Sequence, residues 1–78
     1  MSVRQTDKIN ILLVEDCRLV RVGIRSILDE NPGFNVVGEV DSGESALKVI
    51  NTLRPDVVLI DLGLPGMSGV ETIRKIRE

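Results

Sequence analysis

DVVLIDLGLPGMSGVE (residues 56–71) opens as an apolar run and closes as a loop of glycine and proline. The aliphatic stretch is too short for a typical helix, and it is apolar on both alternating sides. That pattern suits a strand covered on both faces, as in a parallel sheet. The third strand is therefore predicted over 56–61, and it ends on a carboxylate, Asp61. An acid there caps no helix, so it has little structural reason to stand directly after VVLI. Beyond it, Ser68 and Glu71 form an S-x-x-E capping box. The helix that this box opens is expected to turn Val70, Ile73 and Ile76 inward, with Arg74, Lys75 and Arg77 toward its end.

The same alternation of elements extends back along the chain. INILLV (9–14) is nearly all apolar and predicts a first buried strand. A helical pattern follows from about Cys17 to Glu30, with Val20, Gly23, Ile24, Ile27 and Leu28 on one stripe and Arg18, Arg21 and Arg25 opposite. NPG (31–33) ends it, because proline cannot continue a helix. FNVVGEV (34–40) predicts a second strand, more polar, broken by Gly38 and so nearer an edge. A second helix is expected to start at DSGE with Asp41 or Ser42 as cap, to turn Ala46, Leu47, Ile50 and Leu53 inward, and to end where Pro55 biases Arg54 out of the helix.

The order βαβαβα predicts an α/β fold on a parallel sheet with right-handed crossovers. With strand 1 between strands 2 and 3, order 2-1-3, the first helix covers one sheet face and the other two cover the opposite face. Such an order has a switch point between strands 1 and 3, and ligands bind there, outside the carboxyl ends of the strands. Glu15 and Asp16 follow strand 1 and Asp61 ends strand 3, so three carboxylates are expected at one mouth, since neighbouring strands run about 4.8 Å apart.

Three anions that close repel one another, and a divalent cation relieves the conflict. The donors on offer are oxygens, with no histidine in the chain, which favours Mg²⁺ or Mn²⁺ over zinc. Taken singly, Asp16 reads as the cap of the first helix and Glu15 as a solvated loop acid. Taken together with Asp61 at one switch point, the three read as a site.

Composition narrows the function classes. Seventy-eight residues suffice for one small domain with a marginal core. A net charge of −2 gives no general attraction to nucleic acid or anionic membrane. Phe34 is the only aromatic residue, which argues against a base-stacking platform. No apolar run approaches the roughly 20 residues of a membrane span, and the polar start MSVRQTDK does not read as a signal peptide; the expected location is cytoplasmic. Cys17, the single cysteine, lies beside two acids that oppose its thiolate, and reads as a spectator.

ILLVED, SGESAL and RPDVVLIDLGLPGMSGVE, at these spacings, resemble the receiver domain of bacterial response regulators, and LPGMSGVE resembles the NarL/FixJ-type branch. The resemblance runs from about Lys8 to Glu78, after a polar lead over 1–7. It implies a flavodoxin-like fold in which Asp61 accepts a phosphoryl group from a sensor histidine kinase. It further implies that Glu15, Asp16, Asp61 and the backbone carbonyl of Gly63 hold Mg²⁺. Within that family Pro65 would stiffen the return loop, and Gly63, Gly66 and Gly69 would allow tight turns and close backbone approach.

By the same resemblance a complete receiver has about five βα units, of which these residues would supply three. The fourth strand normally gives a Ser or Thr to the phosphoryl group and the fifth a Lys, and neither Lys48 nor Lys75, both on helices, can take that role. The resemblance thus implies a truncated, switch-impaired receiver with no effector domain. Any DNA binding would belong to a longer parent protein. The apolar edge of strand 3 is then expected to lack a partner, which predicts marginal stability or homodimerisation through that edge. Two other readings compete. One is a half-receiver that serves as an interaction module without phosphotransfer. The other is an enzyme with an aspartate nucleophile, against which Asp61-Leu62-Gly63 lacks the second acid that haloacid-dehalogenase-type enzymes carry, and no glycine-rich nucleotide loop follows strand 1.

Overall fold

Leu12, Leu13 and Val14 are the most deeply buried apolar side chains of the sheet, and they lie consecutively on β1 (Ile9–Val14). Consecutive burial means that both faces of this strand are covered, and it sits in the middle of a three-stranded sheet. The computed structural model describes residues 8–78; the polar lead at 1–7 lies outside the described residues. β1 is flanked by β2 (Phe34–Val40) and β3 (Val57–Ile60), both parallel to it, in the order β2-β1-β3. The helices α1 (Arg18–Asp29), α2 (Gly43–Leu53) and α3 (Gly69–Ile76) complete the alternation. The α/β class, the parallel sheet and its order are those expected from the sequence.

The core forms on the α2 side, where Leu12 and Val14 meet Ala46 and Leu64, with Val40, Val49, Ile50, Leu53, Val58 and Ile60 packed around them. Fully burying side chains of this size stabilises the fold by about 1.5–3 kcal/mol each. Gly38 lets α2 come close, because a Cβ there would stand 2.7 Å from Leu53 Cδ1. The β1–β2 register slips beside this glycine, with Ile11 opposite Val36 and Leu12 opposite Gly38.

Caps fix where α2 and α3 begin. Ser42, of the two candidates, accepts from the Ser45 N–H at 3.0 Å, and Ser68 accepts from the Glu71 N–H at 3.1 Å. Arg54 does leave the helix before Pro55, but into the left-handed region (φ 46, ψ 59) rather than into extended backbone. Its N–H still bonds to the Ile50 carbonyl, so it closes the helix as a C-cap. The third strand is shorter than its apolar pattern suggested. Asp56 and Asp61 flank it and both still bond to β1, through Asp56 N–H to Asn10 O and Asp61 N–H to Val14 O.

Two inward faces differ from expectation. On α1 the half-buried positions are Arg21, Ile24, Arg25 and Leu28, while Val20 and Ile27 are exposed. The spacing is that of one helical face, turned toward β2, and the two arginines lay their stems along it while their heads reach Glu39 on β2. On α3 the buried residues are Gly69 and Thr72, and Val70 and Ile73 are exposed. Thr72 meets α2 at Gly43, where a Cβ would collide with its hydroxyl, so small residues set this helix contact in place of large apolar ones.

Candidate functional site

The site is built on the last rungs of the ladder. Val14 pairs with Val40 on one side and with Ile60 on the other, and the next residues along β1 and β3 are Glu15 and Asp61. Glu15 donates its N–H to the Val40 carbonyl at 3.0 Å, and Asp61 donates its N–H to the Val14 carbonyl at 3.1 Å. Both acids are therefore fixed by backbone bonds to the sheet before their side chains do anything.

Their side chains converge. Glu15, Asp16 and Asp61 each offer a carboxylate oxygen, and these three atoms lie within 4.8 Å of one another. Glu15 is buried, whereas Asp16 and Asp61 open toward solvent. Asp16 is not the cap of α1. That position belongs to Cys17, which is exposed and makes no side-chain cap bond. The simple structural role for Asp16 is thus gone, and its carboxylate is left among the acids.

Burial pushes the Glu15 carboxyl above its ordinary value, and hydrogen bonding to Asp61 and the repulsion of Asp61 and Asp16 add to the rise. A bond from the Cys17 N–H acts in the opposite direction. The cluster is thus short of positive charge. Besides Glu15, Asp61 has a local partner in the Gly63 N–H, which donates to its Oδ1 at 2.9 Å. From there the loop turns back through Gly66, whose φ of +71° suits glycine, and reaches α3 at Gly69. Gly69 lies so close under the site that a Cβ would stand 2.6 Å from the Asp61 carbonyl oxygen.

One side chain that the sequence pattern had set on the far face of α1 reaches this loop. Arg21 Nη1 donates to the Glu15 carbonyl at 2.7 Å. A signal was available, since Arg21 shares the i, i+3, i+4, i+7 ridge with Ile24, Arg25 and Leu28. Next to the acids a cavity of about 410 Å³ runs between α1 and β3, lined by Leu13, Val20, Ile24 and Leu59 and ending at Glu15 and Asp61. No helix among the described residues is long and apolar enough to cross a membrane.

Chemically, oxygen donors alone at this spacing suit a hard divalent cation with several of its own waters, and they suit poorly the N/S set of a zinc site. The same arrangement leaves Asp61 reachable from solvent by a partner at the open end of the sheet.

Comparison with known proteins gives one consistent answer. The family model described as response regulator receiver domain matches residues 11–78. Response regulator UvrY of Escherichia coli K12 is 53% identical over 68 residues, 87% of this chain and 31% of the relative, so the chain spans about a third of that protein's length. Among solved structures, a two-component response regulator of the LuxR family from Aurantimonas sp. superposes with a TM-score of 0.86 at 38% identity, over 90% of this chain and 50% of that one. The isolated REC domain of RcsB from Salmonella enterica serovar Typhimurium, solved with the phosphomimetic BeF₃⁻, gives 0.83 at 29% identity over 90% and 53%.

Proposed function

This chain belongs to the response regulator receiver domain family of two-component systems, and from that premise we propose that Asp61 accepts a phosphoryl group from the phosphohistidine of a sensor histidine kinase. The observation that carries this reading is the meeting of Glu15, Asp16 and Asp61 within 4.8 Å at the carboxyl end of the sheet. The donor set also fits a divalent cation, because three carboxylates with no ion-pair partner among the described residues need a positive charge to ionise together. Glu15, Asp16, Asp61 and the Gly63 carbonyl are the residues that would hold Mg²⁺ or Mn²⁺. When bound, the ion supplies charge that offsets the phosphoryl oxygens.

The chain's own residues do the positioning. β3 holds Asp61 at the lip of the sheet through its bond to Val14, and the Gly63 N–H holds Oδ1. Oδ2 is then the oxygen for attack. It forms the new bond to phosphorus as the phosphorus–nitrogen bond breaks, and the imidazole of the donor keeps the electron pair. Catalysis of this kind is mostly orientation and electrostatics. We further propose that the domain serves a transcriptional response regulator in the cytoplasm, with nucleic-acid contact made by residues outside this stretch.

The test uses acetyl phosphate as a small donor, with Mg²⁺ and intact-mass measurement. The wild-type chain is expected to gain one phosphoryl group, Asp61→Asn none, and EDTA to abolish the gain. A folded wild-type chain that gains nothing, or an equal gain in Asp61→Asn, refutes the reading.

A second reading has its own observation. Among the described residues β3 pairs with β1 alone, and Val57 and Leu59 are 40% and 37% exposed beside it. An apolar edge of this kind favours pairing with a second copy, which makes the chain an interaction module through β3.

A further inference from the structure

We propose that Arg21 is the positioning residue of the acid cluster, acting through the Glu15 carbonyl; the inference rests on the proposed cation and phosphoryl site. The loop from Glu15 to Cys17 carries two of the three acids; the Cys17 carbonyl accepts from the Arg21 N–H at 2.9 Å and its N–H bonds to the Glu15 carboxyl, and the peptide between Glu15 and Asp16 is held through the Glu15 carbonyl. Cys17, at the N-cap of α1, makes no side-chain bond to hold the turn. The Glu15 N–H is held by Val40, and its carbonyl is held by the Arg21 guanidinium at 2.7 Å. Arg21 itself is braced on two sides, by the half-buried face of α1 and by Glu39 of β2, 3.9 Å from its Nε.

Geometry makes that single bond matter for both acids. The peptide between Glu15 and Asp16 is planar, so its carbonyl and the following N–H share one plane. Holding the carbonyl toward Arg21 therefore fixes the direction in which the chain leaves Glu15, and with it the place of Asp16. Released, this plane keeps only its flanking backbone bonds at Glu15 and Cys17, and Asp16 is held less firmly at its common point with Glu15 and Asp61. An arginine suits the task because its guanidinium is always charged and presents several donors in a rigid fork, one for the carbonyl and others toward Glu39. Partners of this sort behind a metal site typically govern affinity by about 10–100-fold.

Arg25 provides the internal comparison. It stands one turn further along α1, also reaches Glu39, at 2.6 Å, and pairs with Asp29, but it does not bond to the loop. Loss of Arg25 removes the closer of the two ties between α1 and Glu39 of β2, 2.6 Å against 3.9 Å for Arg21, while leaving the acids' backbone alone.

The experiment measures Mn²⁺ binding to the full chain by the loss of the free-ion electron spin resonance signal, together with thermal unfolding in EDTA. Arg21→Ala is expected to weaken Mn²⁺ by about 10–100-fold, and Arg25→Ala to bind as wild type does, although both lower the unfolding midpoint. Arg21→Lys, which keeps the charge and a donor, is expected to recover part of the loss. With acetyl phosphate, Arg21→Ala is expected to raise the Mg²⁺ concentration for half-maximal phosphorylation while the rate at saturation stays near wild type. If the alanine variant does not fold, Arg21→Gln, which keeps part of the stem but falls short of the carbonyl, takes its place with the same expectation. Equal Mn²⁺ constants in the Arg21 variants, Arg25→Ala and wild type overturn this inference alone. A wild-type chain that binds no Mn²⁺ overturns the proposed site and this inference with it.

Discussion

Glu15 and Asp61 stand side by side one residue past the last β1–β3 pair, Val14 with Ile60, and the buried carboxyl of Glu15 is driven upward in pKa by its surroundings, Asp61 included. Two parallel strands are thus each followed by an acid at the same level of the ladder, and the sheet itself sets their separation. Nothing in packing alone calls for this, because like charges brought together out of water destabilise the fold.

That cost has a pH signature. Glu15 binds its proton more tightly in the folded chain than in the unfolded one, so its contribution to stability is fully present below the ordinary value of 4.5 and is lost as pH rises through the raised value. Glu15→Gln has no proton to lose. In EDTA, the unfolding midpoint of Glu15→Gln is expected to rise relative to wild type as pH increases above about 4.5, and saturating Mg²⁺ is expected to narrow the gap by binding the wild-type site. A gap that does not change with pH contradicts the assignment of Glu15.

The close approach of α3 to the site gives a second prediction. Gly69→Ala places a Cβ against backbone, 2.6 Å from the Asp61 carbonyl oxygen and 2.7 Å from Leu62 Cα, whereas a Cβ at Gly63 meets only Asp61 Oδ1 at 3.6 Å. Overpacking of the first kind costs about 1–3 kcal/mol. Gly69→Ala is expected to lower the unfolding midpoint by several degrees, with about 4–8 °C per kcal/mol for a domain of this size. Gly63→Ala is expected to leave it nearly unchanged. Circular dichroism melts of the two variants decide the matter, and equal midpoints refute the packing account.

Exposed Val57 and Leu59 bear on self-association. The wild-type chain is expected to sediment as larger species as its concentration rises, and Leu59→Lys to suppress this, because a lysine on a strand edge blocks pairing. Sedimentation velocity over a wide concentration range is the check. A wild-type chain that stays monomeric throughout removes the reading of β3 as an interaction edge.

Much of this arrangement is legible in the sequence. The apolar runs at 9–14 and 34–40 give β1 and β2 with their observed limits, and the acids after the first and third runs converge once the sheet order is 2-1-3. Other features escaped because their determinants are not hydrophobicity. Arg21 and Arg25 pack by their stems and bond by their heads, so a pattern that scores them as polar finds Ile24 and Leu28 on the inward face of α1 but adds Val20, Gly23 and Ile27 in place of the arginines. Thr72 and Gly69 are buried because α3 needs small residues where it crosses Gly43 and the Asp61 carbonyl, and large apolar Val70 and Ile73 stay outside. Arg54 takes a left-handed conformation that the proline rule, which disfavours right-handed helix, does not anticipate.

The most direct test of the central claim is fluorine NMR of the chain with Mg²⁺ and beryllofluoride, the phosphomimetic present in the solved RcsB receiver. The account predicts bound-state ¹⁹F resonances for wild type that vanish on Mg²⁺ removal and are absent in Asp61→Asn. Folded wild-type chain with only free beryllofluoride signals, or bound signals that persist in Asp61→Asn, contradicts it.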